Sequence, residues 1–148
     1  MMRMLNTDLR HAEFGFPRTA LRGELVAAIL RGEKTSTAGL LSDHERDNDP
    51  LPEVGERFLL IDEQDRAVGI IETMEVRVTT VGAVDLPFAL EEGEGFASVQ
   101  DWREAHERFW LSYADETRAF LNDPDWHPAD EAQIVCERFR LVARLPAS

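Results

Sequence analysis

Cysteine is almost missing from this chain. A single one, Cys136, stands among 148 residues, so no internal disulfide can form and the composition suits a reducing cytoplasm. Long apolar runs are missing too. None approaches the ~20 residues needed to cross a bilayer, and Met1 to His11 lacks the apolar core of a signal peptide, so no membrane association or export is expected. Basic charge is scarce: 16 Lys and Arg face 29 Asp and Glu, a net charge of −13. A grip on a long polyanion needs a Lys or Arg for each phosphate neutralised, and no window here is densely basic, so extended DNA or RNA binding is disfavoured. A small, neutral or weakly charged substrate fits better. The four histidines, at 11, 44, 106 and 127, share no metal-ligand spacing. The acidic run 43–49 lacks the glycine that a calcium loop requires at its turn. With no phosphate loop, dinucleotide fingerprint or thiol redox pair, neither a metal nor a cofactor is expected.

What is present reads as one globular domain, 43% hydrophobic and 30% charged, long enough to bury a core without staples. Thr19 can cap a helix whose apolar face is Leu21, Leu25, Val26, Ile29 and Leu30, with Gly32 as its stop. Residues 34–41 turn β-like, and Asp43 to Pro52 reads as a loop. Arg57 to Asp62 and Ala67 to Thr79 form a hairpin across a polar turn, with alternation that slips near Glu72 and predicts a bulge or a buried polar residue there. Leu86 to Glu92 is a short helix. Ser98, with Asp101 three residues on, starts a helix running to about Phe120, with an apolar stripe of Trp102, Ala105, Phe109, Trp110 and Tyr113. After the loop from Asp123 to Pro128, Gln133 to Ala143 is a last strand. Strands interleaved with a few helices predict an α+β fold, a small mixed barrel.

The chemistry concentrates at Gly32-Glu33-Lys34-Thr35-Ser36-Thr37. An enclosed lysine can serve as a base and an adjacent hydroxyl as a nucleophile, although taken alone the segment reads as a surface turn entering a strand. On a regular strand Ser36 shares Lys34's face and Thr37 points away, so Thr37 reaches Lys34 only if the chain bends after Gly32, and both hydroxyls stay candidates. Glu72 and Glu137 lie in apolar strand contexts, where a carboxylate is costly unless it is paired with an arginine such as Arg77, Arg138 or Arg140, or lines a cavity. Glu92 and Glu94 sit on a glycine-flexed loop that lets a carboxylate approach a ligand, or gains simply from a helix dipole. His106, four residues after Trp102, suits a structural hydrogen bond at a helix border.

The ordered set consists of Gly32-Glu33-Lys34-Thr35-Ser36-Thr37-Ala38, Pro52-Glu53-Val54-Gly55-Glu56, Ile71-Glu72-Thr73, Glu92-Gly93-Glu94-Gly95 with Trp102 and His106, and Val135-Cys136-Glu137-Arg138-Phe139. It resembles the ASCH domain family over about residues 14–145, leaving 1–13 as an N-terminal extension to a single domain spanning 1–148. The resemblance implies a PUA-like β-barrel flanked by a few helices. It also implies one of three activities: a hydrolase of N(4)-acetylcytidine, a binder of modified nucleotides or short single-stranded RNA, or a ribonuclease. In the amidohydrolase pattern Lys34 is the base, Thr37 the nucleophile and Glu94, or Glu92, the proton donor. Ser36, Glu72, Glu92, Trp102 and Glu137 would then contact the substrate or orient the base, with Trp102 or Phe96 stacking on the nucleobase. Phe16 and Phe96 occupy positions where larger members carry Asp, which implies a more apolar site.

Overall fold

The computed structural model describes residues 8–146. Its centre is a five-stranded sheet in the order β1-β3-β4-β5-β2, with β1 (Arg10–Ala12), β2 (Ser36–Leu40), β3 (Arg57–Ile61), β4 (Ala67–Thr80) and β5 (Gln133–Arg144). β1 runs parallel to β3 and every other pairing is antiparallel. The expected hairpin is β3–β4. The expected irregularity is also present, as register shifts at Ile70/Ile71 and Thr73/Glu75 that bracket Glu72. β1 comes from the segment read as an extension. Three residues of Arg-His-Ala carry no alternation that a sequence pattern could register, and the first seven residues of that segment lie outside the described ones.

The expected barrel does not close: β1 and β2 do not pair and remain the two edges of an open sheet, although the sheet is strongly coiled. In a flat sheet, strands spaced about 4.8 Å apart would hold β1 and β5 roughly 14 Å from each other. Instead Phe14, two residues past β1, packs its ring 5.7 Å from that of Phe139 on β5. This coiling creates a concave face, which one core fills with Phe14, Val26, Ile29, Phe58, Ile71 and Phe139. A second core on the convex face holds Leu40, Phe88, Trp102, Trp110, Ile134 and Cys136. The Cys136 thiol is buried within it, and burial pushes its pKa up to about 11, so this sulfur is a packing group.

Helix α1 (Ala20–Leu30) begins and ends as its caps predict. Thr19 Oγ1 accepts from the Arg22 amide at 3.2 Å. At the other end Gly32 takes φ +79°, with Gly32 N bonded to Ile29 O and Glu33 N to Ala28 O, both at 3.0 Å. This paired closure needs a residue free to enter the left-handed region, and it turns the chain sharply back toward the sheet.

Two further expectations need correction. The stretch read as a loop from Asp43 begins inside a short helix, α2 (Leu41–Arg46), with Asp43 in its first turn and Arg46 in its last, the charge order the helix dipole favours. The long helix expected from Ser98 to Phe120 is two helices, α4 (Val99–Leu111) and α5 (Ala114–Leu121), following α3 (Leu86–Glu91). Ser112 donates its hydroxyl back to Phe109 O at 2.5 Å, and Tyr113 leaves helical geometry, donating its hydroxyl to Asp43 of α2 at 2.6 Å. A tertiary contact thus overrides a continuous pattern.

Candidate active site

The turn after α1 delivers Lys34 into the protein. Its neighbouring backbone is locked to the loop after α3: Thr35 N bonds to Glu91 O at 2.7 Å, and Gly93 comes so close that a Cβ there would lie 2.3 Å from Glu33 O. Lys34's side chain is 1% exposed. Its ammonium donates to Ser36 O at 2.9 Å, to Glu94 Oε2 at 3.1 Å and to Glu92 O at 3.3 Å, with Glu92 Oε1 at 3.5 Å. Every one of these partners is an acceptor. The surroundings therefore suit a cation, whereas the expected base would need a lone pair free to receive a proton.

Glu92 is sealed beneath Lys34. Its carboxylate accepts from Trp102 Nε1 and lies 3.2 Å from His106 Nε2. His106 Nδ1 donates in turn to Trp102 O at 2.8 Å, the i,i+4 spacing placing the imidazole against the indole face with ring centroids 4.2 Å apart. Burial alone would raise the Glu92 pKa, but His106, Lys34 and Trp102 together hold it below the ordinary carboxylate value. Burial would likewise lower His106, and Glu92 with the Trp102 carbonyl raises it above the ordinary imidazole value. The ligand atoms of Glu92, Glu94 and His106 lie within 4.8 Å of one another, close enough to share a metal ion. Both ring nitrogens of His106 are already engaged, however, and the Lys34 ammonium supplies the positive charge those carboxylates need.

These shifts fix a pH window. The raised His106 contributes stability that is whole below about pH 6.5, its unfolded value, and is lost as pH rises through its folded one. The lowered Glu92 contributes stability present above about pH 4.3 and lost as pH falls through its folded value. Urea titrations of wild type and His106→Gln should therefore diverge most between these limits and converge at alkaline pH. Curves that run parallel from acid to alkali would remove His106 from the ion pair.

The structure sorts the remaining expected residues. Ser36 is buried and donates its hydroxyl to Phe88 O at 3.1 Å, so it is occupied as a structural donor. Thr37 points to the concave face, directly paired with Glu137 across the β2–β5 ladder. Glu94, 24% exposed, reaches both Lys34 and solvent, whereas Glu92, at 1%, cannot touch a substrate. Trp102 is 0% exposed, so no nucleobase can stack on it. Glu72 lies between Arg57 at 3.0 Å and Arg140 at 3.3 Å, an ion pair with no contact to Lys34, so it does not orient the lysine. Phe96 tilts against His106 at 5.9 Å. Lys34, Glu92, Glu94, Trp102 and His106 thus form one cluster. Thr37 and Glu137 face the concavity beside it, and Ser36 and Glu72 stand outside the reactive group.

Sequence reasoning missed the segment that covers this concavity. Arg22, 1% exposed, donates to Phe14 O and Gly15 O at 3.0 Å each and lies 3.5 Å from Glu13 Oε1, so it fixes residues 13–15 by their backbone. That path sets the Phe14 ring 6.0 Å from the Lys34 ammonium. It also stacks Phe16, 44% exposed, on Phe109 at 5.0 Å with Tyr113 edge-on at 5.6 Å. An arginine inside an apolar helix face was the available signal, since a buried guanidinium must find acceptors.

Comparison with known proteins places the arrangement. A protein from Enterococcus faecalis superposes with a TM-score of 0.79 at 24% identity, covering 97% of this chain and 80% of its own. An ASCH domain from Lactobacillus crispatus superposes with a TM-score of 0.75 at 25% identity, covering 90% of this chain and 79% of its own. No curated protein matches the sequence. The α+β class holds, with the PUA-like architecture of these neighbours. The model of the ASCH domain family matches residues 12–143, nearly the whole chain, and the protein belongs to that family.

Proposed function

We propose that this ASCH domain is a hydrolase that removes an acyl group from the exocyclic amine of a modified nucleoside, with N(4)-acetylcytidine as the representative substrate. The observation that carries this reading is a hydroxyl with no protein partner among the described residues, Thr37, on a concave face served by a buried lysine in contact with a solvent-reaching carboxylate, Glu94, at 3.1 Å. Thr37 Oγ1 attacks the acyl carbon, and the carbonyl oxygen gains negative charge. The Lys34 ammonium supplies positive charge to the concavity at that moment. As the tetrahedral intermediate collapses, the C–N bond breaks and the leaving nitrogen takes the proton shared by Lys34 and Glu94. Water then releases the acyl group from Thr37. A net charge of −13 suits a neutral nucleoside better than a polynucleotide. Among the described residues no helix is long and apolar enough to cross a membrane.

The test is cytidine release from N(4)-acetylcytidine by purified wild type and by Thr37→Val, which keeps the side-chain shape and removes the hydroxyl. Release by wild type alone is expected. A folded wild type that releases nothing overturns the reading. One observation favours a non-catalytic binder of modified nucleotides or short single-stranded RNA: the exposed stack of Phe16 on Phe109, which resembles a base-stacking platform. Such a binder would hold oligonucleotides with salt-dependent affinity and would be indifferent to Thr37→Val.

A further inference from the structure

Attack by Thr37 needs an acceptor for its proton, and Lys34 is surrounded by acceptors. The concave face offers one other group. Thr37 and Glu137 are directly opposed in the antiparallel β2–β5 ladder, so their side chains leave the same face with Cβ atoms about 4.5–5.5 Å apart. Neither the Thr37 hydroxyl nor the Glu137 carboxylate forms a hydrogen bond or ion pair with any described residue. That sets Glu137 apart from the other carboxylates along these strands. Glu72 is held by Arg57 and Arg140, Glu56 by Arg10, and Glu75 by Arg138. Among the described residues Glu137 is hydrogen-bonded to no arginine, feeling the Arg10 charge only at longer range, and lies opposite the proposed nucleophile.

We propose that Glu137 is the catalytic proton acceptor for Thr37. This rests on the acyl-transfer reading above. As Oγ1 forms its bond to the acyl carbon, the hydroxyl proton passes to the Glu137 carboxylate. The amine then leaves with the proton shared by Lys34 and Glu94. In the second half, water attacks the acyl-threonine, its proton restores the Lys34–Glu94 pair, and Glu137 returns its own proton to the departing Thr37 oxygen. No co-reactant other than water is consumed.

The electrostatics of the face agree with this role. Burial first, and then the negative charges of Asp49 and Glu56, raise the Glu137 pKa from the ordinary glutamate value to about 7. Arg10 on β1 and Lys34 before β2 oppose the rise. A carboxylate that titrates near neutrality is matched to accept and return a proton within one cycle.

The test compares wild type, Glu137→Gln and Thr37→Val in two assays. The first is the pH dependence of N(4)-acetylcytidine hydrolysis. Wild-type kcat/KM should climb with pH and level off above about 7, whereas Glu137→Gln should fall by about 10²–10⁴-fold and lose that limb. The second assay is acetylation of Thr37 by 4-nitrophenyl acetate, read by mass spectrometry of the Thr37 peptide, which asks about the pair without the nucleoside. An adduct that forms on wild type and not on Glu137→Gln supports the pair even if no cytidine is released, in which case the substrate reading alone fails. A folded Glu137→Gln protein that acetylates at the wild-type rate, or keeps the pH limb, overturns the assignment. So does a wild type whose Thr37 never acetylates. Since Glu137→Gln removes a charge that burial disfavours, the variant should unfold no more readily than wild type at pH above about 7, which guards against a trivial loss of fold.

Discussion

Lys34→Ala should abolish hydrolysis and should also make the protein measurably easier to unfold. The sequence alone suggests a catalytic loss with an untouched fold, but the structure adds the second effect. Lys34 and Glu92 are each 1% exposed and 3.5 Å apart, so removing the ammonium leaves a carboxylate buried with half its counter-charge. Breaking a buried pair this way typically costs about 3–5 kcal/mol. His106 still faces Glu92 at 3.2 Å, which places the expected loss at the lower end of that range. A double variant separates the two roles. Adding Glu92→Gln to Lys34→Ala removes the orphaned charge and should restore much of the urea midpoint, while hydrolysis stays absent because the concavity still lacks its cation. If the double variant recovers activity along with stability, Lys34 is a structural residue and the mechanism loses its charge stabiliser. If Lys34→Ala is folded and as active as wild type, the mechanism is abandoned outright.

The second large effect is expected far from any side-chain chemistry. Gly93 holds φ +66°, and a Cβ there would meet Glu33 O at 2.3 Å, the Glu33 carbonyl carbon at 2.5 Å and Lys34 N at 2.7 Å. All three are backbone atoms and cannot swing aside. Gly93→Ala must therefore separate the two loops, breaking the Thr35 N to Glu91 O bond and the Lys34 contacts to Glu92. We expect a stability loss on the order of 2–4 kcal/mol and a fall in kcat of roughly 10²-fold, the scale of an ångström's misplacement. Gly95→Ala is the matched control. Its φ of +82° is similarly strained, but nothing lies within 4 Å of its Cβ position, so only about 1 kcal/mol should be lost. Thermal melts of both variants and a single-turnover assay decide the matter. Equal effects from the two glycines would mean that backbone strain, not the close approach, governs this site.

How far the sequence could be read depended on the kind of signal each feature leaves. α1 was legible at both ends because Thr19 and Gly32 are local chemical marks with fixed geometry. The β3–β4 hairpin and the irregularity around Glu72 were legible because alternation breaks visibly where a register does. β1 was not, since three residues leave no period, and the Ser112–Tyr113 break was hidden because its cause, Asp43, lies 70 residues away in the chain. The same division holds at the site. Lys34 and Glu94 were assigned through a resemblance, and the fold sets their side chains 3.1 Å apart. Trp102 was misplaced because an aromatic stripe at helical spacing looks the same whether it faces a core or a ligand. The pairing of Thr37 with Glu137 was invisible for a different reason: it is a property of register between strands far apart in the chain, and register is decided by the whole sheet.

Arg22 grips its segment by carbonyl oxygens, those of Phe14 and Gly15, and so holds the path of the chain without regard to most of the side chains it carries. The lineage is thereby given an independent variable. Residue 16 projects from a fixed backbone and packs on Phe109 and Tyr113, apart from the Lys34–Glu94 contact. A change of side chain at that one position can therefore remodel the exposed aromatic stack while the backbone path, and with it the Phe14 ring beside Lys34, is kept.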